Sequence, residues 1–150
     1  MLPAAARVLR VVFDTVVFVR ALINPHSTWG RTVFQHSGDY RLFLSEPVLR
    51  EILDVLQRPE LMRKFRSLER LDLRRVLDVL GRAEAVDLPT VPKVARDPKD
   101  DVFLATALAA RARYLVSEDQ DLLVLGEYEG TQIVDTATFL RLVQDRSDLD

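Results

Sequence analysis

The apolar positions come in short blocks whose period changes from one block to the next. Val8 to Phe13 is apolar and β-branched on both faces, the pattern of a strand covered from both sides. After Asp14, Thr15 to Ile23 reads as a helix broken by Asn24-Pro25, and Thr28 to His36 as a second helix closed by Gly38. Arg41 to Leu44 is a short strand. Ser45 then caps a helix with Pro47 in its first turn, reaching about Gln57. Pro59 restarts the chain into a short basic helix, and Leu68 to Arg82 forms another. Ala85 to Leu88 reads as a strand ending at Pro89, and Asp97-Pro98 opens a helix reaching about Ala112. Tyr114 to Val116 and Gln132 to Val134 are short strands, and Thr136 to Val143 is a closing helix.

Strands that alternate with helices in this way predict an α/β fold, with a mostly parallel sheet and helices on both faces. The helices between the second and third strands make one long crossover. In such sheets a ligand binds beyond the C-terminal strand ends, where the strand order reverses. Asp14 ends the first strand, in the middle of the apolar run VVFDTVVFVRAL. Burying that carboxylate without a partner is costly, so it needs a hydrogen-bond donor, a cation or solvent.

The 150 residues suit one domain, residues 1–150, with a core over about 8–143 and an acidic tail, 144–150, expected to fray. An apolar fraction of 48% and a charged fraction of 29% exclude a disordered chain. With no cysteine and only His26 and His36, thiolate and histidine-rich metal sites are excluded, and the composition fits a reducing compartment. A net charge of -2 gives no global attraction to nucleic acid or anionic membranes. Arg7, Arg10 and Asp14 interrupt the N-terminal apolar run, which argues against a signal peptide. No stretch approaches the ~20 apolar residues of a membrane span. The expectation is a cytoplasmic soluble domain.

Four acids stand where an apolar face meets a strand end or a helix. Asp14 ends strand one; Glu51 borders the buried arc Val48, Leu49, Ile52, Val55, Leu56 of its helix. Asp101 heads the stripe Asp101, Leu104, Ala105, Leu108, Ala112, which places it on the inward face. Asp119 follows the strand Tyr114 to Val116 by three positions. Asp14 alone could cap a helix, Glu51 could be a border residue, and Asp119 and Asp121 could be turn acids. Asp97 and Asp100 are assigned to capping and to the helix dipole. Carboxylates converging on one cleft repel one another unless a cation joins them, and hard oxygen ligands select Mg²⁺ or Mn²⁺.

Three stretches carry a resemblance: FDTVVFVRAL, SEPVLREILDVLQRPEL and RDPKDDVFLATALAARARYLVSEDQDLLVL. In these the chain resembles the PIN-domain nucleases from about Val8 to Val143. The resemblance implies a three-layer α/β/α sandwich and an acidic quartet that binds Mg²⁺ or Mn²⁺ and hydrolyses RNA phosphodiesters. Matched by position, the quartet is Asp14, Glu51, Asp101 and Asp119, with Thr15, Ser117 and Asp121 as supporting residues. It also implies a toxin covered by a small antitoxin, often as a homodimer. One position departs: the family reads Asp-Thr-Asn at the first motif, and this chain reads Asp14-Thr15-Val16. Valine donates no hydrogen bond, and such losses commonly cost ~10–100-fold in metal affinity or activity. The competing reading is therefore a weakly active or non-catalytic module that binds RNA or protein. A phosphoacceptor enzyme would want a second acid where Val16 stands. Arg58, Arg63, Lys64 and Arg66 are candidates for phosphate contacts along an RNA path. Trp29 and Phe34 are assigned to core or interface, and the histidines to the surface.

Overall fold

A computed structural model of the chain describes residues 8–64, 70–88, 91 and 93–149. At its centre β1 (Leu9–Phe13) pairs in parallel with β2 (Tyr40–Leu44) on one side and β4 (Tyr114–Val116) on the other. The sheet continues outward to β3 (Glu84–Ala85) beyond β2, and to β6 (Thr131–Val134) and β5 (Glu127–Tyr128) beyond β4. Its order is β3-β2-β1-β4-β6-β5, parallel except for β5. The hairpin that adds β5 turns through Glu129 and Gly130, both at positive φ, where a glycine costs least. Two paired residues leave too short an alternation to read as a strand beforehand.

Side chains of β1 alternate between two covered faces. Val11 and Phe13 point to one, where Phe13 meets Phe18, Tyr40 and Phe139 with ring centroids 5.7, 4.9 and 5.8 Å away. Phe18 comes from α1 (Thr15–Ile23) and Phe139 from α8 (Thr136–Leu149), so these helices close that layer. Arg10 and Val12 point to the other face. It is covered by α6 (Pro98–Ala109), which packs against α3 (Glu46–Leu56). The expected three layers are present.

Helix α2 (Thr28–Gly30) runs on as a π-helical turn over Arg31–Gln35, one residue short of the expected end at His36. Gly30 is required there, because a Cβ would collide with the Pro25 carbonyl. The long crossover carries α3, α4 (Pro59–Lys64) and α5 (Arg70–Gly81). The last helix continues to Leu149, past the expected end at Val143: no breaker follows Val143, and Arg146 in the last turn suits the helix dipole. Among the described residues no helix is long and apolar enough to cross a membrane.

Strands β1, β2 and β3 step one way across the sheet, and β4, β6 and β5 the other. The switch point lies between β1 and β4, and the Asp14 N–H donates across it to the Val116 carbonyl at 2.9 Å. A short helix, α7 (Gln120–Leu123), follows β4.

Candidate metal centre

Beyond that seam opens a cleft of about 490 Å³, lined by Asp14, Glu51, Asp100 and Asp119 among others. Each acid comes from a different element: the end of β1, the middle of α3, the first turn of α6 and the turn after β4. Ser117 ties two of them together. Its hydroxyl donates to Asp14 Oδ2 at 2.7 Å and accepts from the Asp119 N–H at 3.0 Å. Thr15 Oγ1 donates to Glu51 Oε2 at 2.7 Å, and Asp119 Oδ1 accepts from the Asp121 N–H at 2.9 Å. Thr15, Ser117 and Asp121 are thus all engaged with or beside the acids.

Asp101 is buried, as its stripe predicted, but it does not line the cleft. Its Oδ1 accepts from the backbone N–H groups of Val94 and Ala95 at 2.9 and 2.6 Å, fastening the segment that leads into α6. Asp100, read from sequence as a dipole acid, takes the place in the cleft. Both stripes of α6 are buried at Asp100, Phe103 and Ala107 and at Asp101, Leu104 and Ala105, but it is Asp100 and Phe103 that line the cleft. Leu108, counted in the other stripe, is 44% exposed. With Asp97 capping through the Lys99 N–H at 3.0 Å, Asp100 stands one turn in and faces the cleft.

The PIN domain family profile matches residues 10–121. The chain belongs to the PIN-domain family. Two solved structures have the same fold. PAE2754 from Pyrobaculum aerophilum is 17% identical at a TM-score of 0.53, over 93% of this chain and 91% of that one. VapBC2 from Rickettsia felis, solved bound to a DNA fragment from its promoter, is 15% identical at a TM-score of 0.52, over 83% of this chain and 97% of that one. No curated protein matches the chain in sequence.

The electrostatics of this PIN domain suit a cation. Burial pushes the Asp100 carboxyl up to about 7, with Asp119, Asp14 and Asp97 adding to the rise. Burial also raises Asp14, and Glu51 and Asp119 reinforce it against the hydrogen bonds from Ser117 and the Thr15 backbone. Asp100 Oδ2 is buried without a hydrogen-bond partner, and carboxylate oxygens of Asp100, Asp119 and Asp121 lie within 4.8 Å of one another. An acceptor left open beside like charges fits a hard divalent ion held by oxygen ligands.

The rest of the lining is Thr15, Val16, Val19, Arg20, Val55, Arg58, Asp97, Lys99, Phe103 and Glu118. Val16, the departure from the family motif, forms part of the wall at 38% exposure. Of the expected basic residues, Arg58 is at the cleft. Arg66 and the side chains of Arg63 and Lys64 lie outside the described residues. Arg20, Lys99 and Glu118 were missed: Arg20 is a lone charge in an apolar run, Lys99 and Glu118 stand among other charges, and only the tertiary fold brings the three together.

Proposed function

We propose that the chain is a divalent-metal-dependent endoribonuclease, the toxin partner of a small antitoxin. The observation that carries this reading is the set Asp14, Glu51, Asp100 and Asp119 on one cleft at the sheet's switch point, with a buried Asp100 oxygen unsatisfied by protein. Mg²⁺ or Mn²⁺ would be held among these four, with Asp121 close to Asp100 and Asp119. When bound, such an ion polarises a phosphodiester and acidifies water. Ser117 holds the Asp14 carboxylate in one orientation, and Thr15 does the same for Glu51. A carboxylate of the set takes the proton of the attacking water. Arg20, Arg58 and Lys99 place positive charge beside the acids for the strand's phosphates. The antitoxin and a homodimer belong to the same proposal, supported by the likeness to VapBC2 and by what the resemblance implies.

The test is incubation of the purified protein with single-stranded RNA in Mn²⁺ or EDTA. Cleavage that needs the metal and is lost in Asp14→Asn is the expected result. RNA binding without cleavage under Mg²⁺ or Mn²⁺ would overturn it in favour of the non-catalytic module. The hydrogen bonds from Ser117 and Thr15 favour the nuclease, because they restrain the acids without help from position 16.

A further inference from the structure

Helix α1 presents Val16, Val19 and Arg20 to the cleft, at the i, i+3 and i+4 spacing of one helical face. The Arg20 guanidinium lies over the Trp29 ring, 4.8 Å from its centroid. Trp29 is itself pinned: its Nε1 donates to Glu118 Oε1 at 3.1 Å, and the same oxygen accepts from the Thr136 N–H at 3.0 Å. Glu118 stands between Ser117 and Asp119, so the arginine's platform hangs from the turn that supplies a cleft acid. Gly30, next to Trp29, allows α2 to close against Pro25 and set the indole there.

Among the described residues Arg20 forms no ion pair, although six carboxylates line the same cleft. Stacking engages only the flat face of a guanidinium and leaves the in-plane N–H donors directed outward. An exposed arginine held this way is preorganised for an anion that arrives with the substrate. Five residues of helix separate it from Thr15, about 7.5 Å of rise at about 1.5 Å per residue. That offset along α1 sets the Arg20 backbone to one side of Asp14, where the phosphate beside the one at the acids would lie. Arg58 and Lys99 line both this cleft and the groove that adjoins it between α3 and α6.

We infer that Arg20, stacked on Trp29, binds the phosphate next to the scissile one and so sets where a single-stranded substrate lies on the α1 side of the cleft. This rests on the nuclease reading above. The experiment is steady-state cleavage of a single-stranded RNA in Mn²⁺ across a salt series, for wild type, Arg20→Met, Arg20→Lys and Trp29→Phe, with thermal melts to establish folding. Arg20→Met is expected to raise KM about tenfold or more, as for a lost charged hydrogen bond, with kcat within about threefold. The dependence of log(kcat/KM) on log salt should flatten by about 0.7, the contribution of one phosphate contact on a single strand. Arg20→Lys should restore that slope but only part of KM, and Trp29→Phe, which keeps a ring but loses the bond to Glu118, should fall between wild type and Arg20→Met. Wild-type KM and salt slope in a folded Arg20→Met overturns the inference and leaves the nuclease reading intact. So does a fall in kcat alone, which would mark Arg20 as a support for the acids. A wild type that cleaves no RNA under any divalent metal overturns both.

Discussion

Strand β1 has a charge near each end, and the protein treats the two differently. Arg10, near its start, has Nε and Nη2 donating to the Ala110 carbonyl at 3.0 and 2.6 Å and its guanidinium 4.3 Å from the Phe43 centroid. The C-cap of α6 thereby gains the cation that a helix end favours. Neighbouring polar groups there are satisfied too: the Tyr40 hydroxyl donates to the Val33 carbonyl and Thr131 to the Ala112 carbonyl. Asp14, at the other end, receives one hydroxyl and then faces further acids. A buried charge matched by protein contributes to folding; a cluster of buried charges left unmatched stores repulsion that a ligand can relieve. The same strand therefore has a structural end and, on the proposed reading, a functional end.

The largest effects should come from breaking the functional end. Asp100→Asn should lower metal-dependent cleavage by about 100-fold or more, on the scale of losing a positioned catalytic group. It should also raise the melting temperature of the metal-free protein, because it removes a charge that burial and three acids oppose. Asp101→Asn is the control one position along. Its amide oxygen still accepts from Val94 and Ala95, so activity should stay within about tenfold of wild type, the low end of losses around a metal site. Equal losses in the two variants would show that the adjoining acids had been given the wrong roles.

That pair also marks how far the sequence could be read. The both-faced burial of β1, the alternation of strands with helices, and the acids Asp14, Glu51 and Asp119 were legible, because each depends on local pattern and on strand ends. Asp100 and Asp101 were not separable, because the first turns of α6 are buried on almost every side and a single stripe cannot rank two neighbouring acids. The hairpin of β5 and the π-helical turn after Gly30 depend on two-residue pairing and on a close approach to Pro25, neither of which has a periodic signature. Arg20, Trp29 and Glu118 meet only after α1, α2 and the turn after β4 have packed.

Breaking the structural end should cost stability and leave metal binding alone. Arg10→Ala removes two charged hydrogen bonds and the cover over Phe43, for about 1.5–3 kcal/mol. Chemical denaturation should show this loss, while the Mn²⁺ affinity of the folded fraction stays at the wild-type value. A variant that loses affinity as well would mean that the two ends are coupled through β1.

The comparison also has a pH signature. The folded-state Asp100 carboxyl lies at about 7 against 3.8 unfolded, so the native state holds the extra proton between those values. Metal-free stability should therefore fall as pH rises from about 4 to about 7, and Asp14, also raised, adds in the same direction. Asp135, which caps α8 through the Thr138 N–H at 2.8 Å, has a lowered carboxyl, and its contribution is lost only below about pH 4. Scanning calorimetry should find the metal-free protein melting higher at pH 5.5 than at pH 8, with Mn²⁺ raising the melting temperature more at pH 8. The opposite order without metal would mean that the acids are satisfied by protein after all.

The smallest effect concerns Val16. If the family's asparagine mattered mainly as a hydrogen-bond donor to the acids, Ser117 and Thr15 already do that work here, on Asp14 and Glu51. Ser117→Ala should then weaken Mn²⁺ binding ~10–100-fold, because Asp14 loses its hydroxyl donor and the Asp119 N–H its acceptor. Val16→Asn should change affinity and rate by less than about tenfold, since the side chain sits on an exposed wall of the cleft. Titration of Mn²⁺ into both variants decides the matter. A gain from Val16→Asn as large as the loss from Ser117→Ala would show that the valine leaves Asp14 under-restrained, and that its hydroxyl partner holds less of the site than the 2.7 Å contact implies.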